Sequence, residues 1–193
     1  MFIRVWLLFL HYYSKMSSFD SERSTTEEEI NSTIQLHTPV ISSISEALQK
    51  VILHNESQEY YHKIVQHQMK SPFSTWQVPS ISIEDYLERI QFYTKCEEAS
   101  LISALIYIDR ISSIGHIVLT SYNVHRILFC SILAGIKYNE DTYFKNDYYA
   151  TVAGITEKEL NKLEYLYMNA IKYTLYIDEE EYSQYMNYLL NSK

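Results

Sequence analysis

LISALIYIDRISSIGHIVLTSYNVHRILFCSILAGIKYNED, Leu101 to Asp141, is the stretch on which the fold turns. Its second half, Asn123 to Lys137, is apolar on nearly every helical face. Val124, Ile127, Leu128, Ser131, Ile132 and Gly135 recur at helical spacing, and Phe129, Leu133 and Ile136 fill most of the other positions. A surface helix keeps a polar face, so one without it is surrounded by other helices. A helix over 123–137 spans roughly 22 Å, too short to cross a bilayer. Ser131, Ala134 and Gly135 let neighbours approach closely. This segment predicts the central helix of a bundle.

Composition supports an all-α chain. Its 193 residues suit one domain with extensions, and 3 Gly and 3 Pro are too few for a turn-rich β fold. The net charge of −8 argues against a non-specific nucleic-acid binder, which needs a basic stripe. The 19 tyrosines read first as compositional bias and second as an aromatic binding surface. Cys96 and Cys130 cannot make a metal site by themselves, and they suit a reduced intracellular compartment, cytoplasm or nucleus.

The N-terminus, MFIRVWLLFLHYYSKM, has a short apolar run with no small-x-small cleavage pattern after it. We expect translation from Met16, with residues 1–15 an extension; a secretory signal is the alternative. Residues 1–38 read as a tail, since Ser17 to Asn31 is polar and acidic. Residues 39–72 carry one or two helices on the outside of the bundle, with Ile41, Ile44, Leu48, Val51 and Ile52, then Tyr61, Ile64 and Val65. SPFSTWQVPSIS, Ser71 to Ser82, predicts a loop anchored by Phe73 and Trp76.

Beyond it, helix starts are signed. Ser82-Ile-Glu-Asp85, Thr94-Lys-Cys-Glu97 and Thr156-Glu-Lys-Glu159 each have the spacing of a capping box. Thr120 or Ser121 is expected to cap the central helix. Asn146 to Ala153 reads as a short helix that stops at Gly154, and Asp178 to Leu190 as the last one. Five helices therefore lie between Ser82 and Tyr173, the third of them central.

Several charges sit on or beside apolar stripes. Asp109 shares a face with Leu101, Ile102, Leu105 and Ile108, and Arg89 borders the stripe of Ile83, Tyr86, Ile90 and Tyr93. An unpaired carboxylate there is strongly unfavourable, so Arg89 and Asp109 are expected to pair across helices; Arg110 is the other possible partner. Glu164 borders Leu160, Leu163, Tyr167 and Ile171, and Lys137 closes the central helix. Both have plain structural accounts: Lys137 complements the helix dipole, and Glu164 pairs with a lysine one turn away. A binding role for the two is the alternative.

The marks of catalysis are missing from the sequence. The seven histidines are scattered, three glycines cannot build a phosphate loop, and no G-x-S-x-G stands in the chain. Glu179, Glu180 and Glu181 read as a solvated helix start. An enzyme is the less favoured class, and no cofactor, metal or small-molecule substrate is implied.

PSISIEDYLERI (79–90), LISALIYIDR (101–110), NVHR (123–126), KYNED (137–141) and ELNKLE (159–164), in this order, resemble the P/U-type cyclins, whose type member is the phosphate-pathway cyclin of yeast. The resemblance runs from about Phe73 to Leu190. It implies a single five-helix cyclin box over 73–175, a flanking helical segment before it and a C-terminal helix over 176–193. It also implies a non-catalytic regulatory subunit that binds a cyclin-dependent protein kinase, with no nucleic-acid or membrane partner. In that family a lysine late in the third box helix and a glutamate in the fifth hydrogen-bond the kinase near its αC helix, and the matching positions are Lys137 and Glu164. Glu140 and Asp141 are placed to meet a kinase arginine. Arg89 and Asp109 match the pair that ties the first two box helices. LERIQF departs from the apolar substrate-docking patch of mitotic cyclins, because Glu88 and Gln91 interrupt it. A cyclin-fold adaptor that binds no kinase is the alternative.

Overall fold

The computed structural model describes residues 39–191. The tail expected over 1–38, and with it the question of Met16, lies outside the described residues. Among these, every regular element is a helix. We number them α1 (Pro39–Glu56), α2 (Tyr61–Gln68), α3 (Ile83–Thr94), α4 (Glu98–Ser113), α5 (Val124–Asn139), α6 (Asn146–Ala153), α7 (Glu157–Ala170) and α8 (Glu179–Leu190).

Helix α5 is the centre of the bundle. It packs on α3, α4 and α7, and every residue from Ile127 to Ile136 is buried. Gly135 makes the α4–α5 contact possible: a Cβ there would lie 2.7 Å from the Ser100 carbonyl oxygen, closer than any side chain tolerates. Apolar burial supplies the stabilisation, at about 1.5–3 kcal/mol for each large side chain removed from water. Ile127→Ala, at a position with 0% exposure, therefore costs about 2–5 kcal/mol.

The ends of the helices separate good sequence signals from poor ones. Ser82 caps α3 and Thr156 caps α7, each accepting a hydrogen bond from the N–H three residues on, and Gly154 ends α6 in the left-handed conformation at φ 73°. The box expected at Thr94 does not form. Thr94 closes α3, with its hydroxyl on the Ile90 carbonyl, and Glu97 stands at the start of α4 without a side-chain cap bond. The start of α5 falls at Asn123, whose Oδ1 accepts from the Thr120 N–H, so neither Thr120 nor Ser121 is the cap residue.

Helix α1 is less peripheral than its position outside the five-helix outline suggests. It packs on α3, α4 and α8, and Ile41, Ile44 and Leu48 enter the same core. The α2–α3 loop has one anchor where two were expected. Phe73 is buried edge-on against Tyr167, while Trp76 is 85% exposed.

Candidate functional site

The C-terminal end of α5 is where charge enters the bundle. Lys137 stands in its last turn, where a cation suits the helix dipole. Its Nζ lies 2.5 Å from Glu164 Oε1 on α7 and donates to Asn146 Oδ1 at the start of α6, at 2.8 Å. Asn146 Nδ2 in turn donates to Glu164 Oε2 at 2.8 Å and to Asn161 Oδ1 at 2.6 Å. Three helices thus meet in one polar node. The Lys137 and Glu164 side chains are each 25% exposed, so the node lies at the surface with its ion pair partly desolvated. An ammonium carries three donors and a carboxylate about four acceptor sites. The contacts within the chain use two of the three donors and leave acceptor capacity on both carboxylate oxygens.

Beneath the node the seam between α5 and α7 is buried. Ser131 and Tyr167 share a buried hydrogen bond of 2.6 Å, and burial pushes the Tyr167 phenol and the Cys130 thiol well above their usual ranges. Burial also pushes the Cys96 thiol up to about 11. Both cysteines are free and buried. Neutral thiols in such surroundings are poor nucleophiles. Among the described residues no cluster of His, Cys, Asp or Glu could hold a metal ion, and no helix is long and apolar enough to cross a membrane.

The expected site residues divide into three groups. Lys137 and Glu164 come together, although they are far apart in sequence. Glu140 turns inward: its Oε1 accepts from the Ser100 hydroxyl at 2.6 Å and from the Glu97 N–H at 3.1 Å. It thereby supplies, from the end of the neighbouring helix α5, the negative charge that the start of α4 favours. Asp141 is exposed at the beginning of the loop to α6.

Arg89 and Asp109 do not pair. Ile83, Tyr86, Leu87 and Ile90 form the buried stripe of α3 and turn Arg89 out to solvent. Asp109 instead accepts a hydrogen bond from the Tyr185 hydroxyl of α8 at 2.9 Å. Arg110, which the helical wheel aims away from the core, is held at 2.6 Å from Glu181 and donates to the Thr174 carbonyl at 2.7 Å. Glu181 therefore does not belong to a freely solvated acidic run. The reason for both corrections is α8, which packs on α4 and supplies partners that spacing within the box cannot reveal.

Asn146 and Asn161 were missed. Asn146 is a residue type that starts helices, and that plain reading hid its bonds to Lys137 and Glu164. The faint signal was Glu164 itself, an acid beside an apolar stripe that calls for more than one donor.

The family model described as Cyclin matches residues 20–175. The chain belongs to the cyclin family. The relatives of this cyclin include Cyclin-U4-3 of Arabidopsis thaliana, 34% identical over 78% of the chain and 66% of the relative. Cyclin-U4-1 of the same plant is 33% identical over 78% of the chain and 74% of its own length. The PHO85 cyclin-like protein psl1 of Schizosaccharomyces pombe is 38% identical over 64% of the chain and 53% of its own length. The chain is accordingly a P/U-type cyclin-box protein, and its helices α3 to α7, with α5 in the middle, follow the five-helix order read from the sequence.

Proposed function

We propose that this cyclin is the regulatory subunit of a cyclin-dependent protein kinase, bound through the α5–α7 face with residues 73–175 as the binding unit. Lys137 and Glu164 hydrogen-bond the kinase near its αC helix. Asp141 meets a kinase arginine at the edge of the contact. Glu140, whose Oε1 already holds the start of α4, supports that corner from beneath. The observation that carries the reading is the node itself: a lysine and a glutamate, drawn together from two helices at the surface, keep one donor and several acceptor positions for an outside partner. Membership of a family with a relative described as PHO85 cyclin-like supports the kind of partner.

The mechanism is differential binding. A kinase whose αC helix swings between two positions is driven to the active one by a surface that fits only that arrangement. With the helix held inward, the kinase lysine–glutamate ion pair forms and the activation segment orders. The cyclin contributes no reacting group. Affinity measured against purified cyclin-dependent kinases tests the reading. The intact chain binds one of them, and a folded Lys137→Ala, Glu164→Ala variant loses at least tenfold. Unchanged binding by that variant places the interface elsewhere.

A further inference from the structure

We infer that the cavity between α1, α2 and the α4–α5 loop is a binding site for an uncharged, flat ring compound that carries an N–H donor. The cavity holds about 270 Å³. Val51 of α1, Ile64 of α2, and Ile117 and Leu119 of the α4–α5 loop give it apolar walls. Protein interiors keep few voids larger than a water molecule, and a cavity of about 150 Å³ already takes benzene. The space therefore suits one substituted ring or a fused pair of rings. It lies by the N-terminal end of α5, about 20 Å of helix away from Lys137, and is independent of the kinase face.

The walls are held in place by bonds that cross between elements. Asn55 Nδ2 of α1 donates to the Leu119 carbonyl at 2.9 Å, and Gln68 Nε2 of α2 donates to the Val118 carbonyl at 3.3 Å. Glu56 Oε1 accepts from the N–H and the hydroxyl of Ser121, at 2.9 and 2.7 Å, and from the Tyr61 hydroxyl at 3.1 Å. His116 on the loop stands in the left-handed region at φ 54°, a conformation unfavourable for a residue with a Cβ. The loop is thus fixed by its bonds to α1 and α2 rather than by its own preferences. Collapse onto the cavity would break them, so the space is pre-formed and a ligand meets little ordering cost.

The polar atoms of the wall select the ligand. Among the described residues no Lys, Arg, Asp or Glu lines the cavity, so an ion would shed its water with no counter-charge of that kind to meet it. The two histidines of its lining, His54 and His116, are exposed. Asn55 spends its amide nitrogen on Leu119, and Gln58, also in the lining, donates from Nε2 to the His54 carbonyl at 3.0 Å. Their amide oxygens are left to accept. The oxygens call for a donor on the ligand, and the apolar walls call for a ring beside it.

The probes are indole, benzofuran (the same ring outline without the N–H) and a carboxylated indole. Each is titrated into the isotope-labelled full chain and followed by backbone amide shifts. Indole is expected to bind saturably, with shifts centred on Asn55, Gln58 and Ile117, and at least threefold more tightly than benzofuran. At least one of Gln58→Leu and Asn55→Leu should erase that preference; if neither does, the amide oxygens are not the acceptors and the assignment falls. Ile117→Trp, folded by circular dichroism, should abolish binding by filling the space, and full binding by it puts the site elsewhere. Equal affinity for indole and benzofuran leaves an apolar cavity only and overturns the donor assignment. Tighter binding of the carboxylated indole gives the site to an anion and overturns it as well. Shifts that never saturate, or that lie away from the lining residues, overturn the site itself.

Discussion

Arg110–Glu181 and Lys137–Glu164 are ion pairs of nearly equal length, 2.6 and 2.5 Å, in very different settings. The first is the less exposed. The Arg110 side chain is 12% exposed, its other nitrogen donates to the Thr174 carbonyl, and its guanidinium lies 5.6 Å from the Tyr107 ring centroid. The residues around it join in: the Tyr107 hydroxyl donates to the Leu175 carbonyl, and Asp109 accepts from Tyr185. Together they fasten α8 and the segment before it onto α4. The second pair is more open, with both side chains 25% exposed. A cation and a carboxylate at contact distance therefore do two different things. The Arg110–Glu181 pair is the less exposed and ties α8 to α4; the Lys137–Glu164 pair lies more open at the end of α5, where the proposed kinase contact falls.

The comparison breaks most readily at the fastening. Arg110→Ala leaves Glu181 without its cation and should lower stability by about 1–2 kcal/mol in denaturant titrations, with affinity for the proposed kinase partner unchanged. A variant that loses affinity in proportion would show that the two pairs are not separable. Next comes Tyr185→Phe, which removes the hydroxyl that Asp109 accepts; about 1 kcal/mol should be lost, read from the same titrations. Lys137→Ala should cost under about 1 kcal/mol of stability, because the pair is partly solvated, while binding suffers far more. The smallest effect concerns neither pair. Burial holds the His125 pKa below the usual value near 6.5. The unfolded chain then takes up a proton before the folded one does, so this contribution is full above about 6.5 and declines as pH falls below it. The drop in thermal midpoint between neutral and mildly acidic pH should be larger for the intact chain than for His125→Gln.

What could be read in the sequence follows the same division. The centre was legible: a run from Ile127 to Ile136 that is apolar on nearly every face reads as a surrounded helix, and Ser82, Gly154 and Thr156 act within one turn of themselves. Local chemistry of that kind needs no tertiary knowledge. Lys137 was conspicuous because it closes the central helix and Glu164 because it stands beside an apolar stripe, but nothing in the spacing joins them to Asn146 or Asn161. Arg89 and Asp109 were conspicuous for the same reason, and pairing them failed because α8 brings Tyr185 to Asp109 and Glu181 to Arg110. Whether a misplaced charge is met from the neighbouring helix or from one far along the chain is a tertiary fact. Trp76 shows the converse, since an apolar residue in a loop predicts an anchor and only the burial of Phe73 shows which residue takes that role.

The most direct test of the central claim is the rate at which a purified cyclin-dependent kinase phosphorylates a peptide as the chain is titrated in. The intact chain should raise the rate to a plateau, and the Lys137→Ala, Glu164→Ala variant, folded by circular dichroism, should leave it near the basal level at the same concentrations. Full activation by that variant would contradict the account.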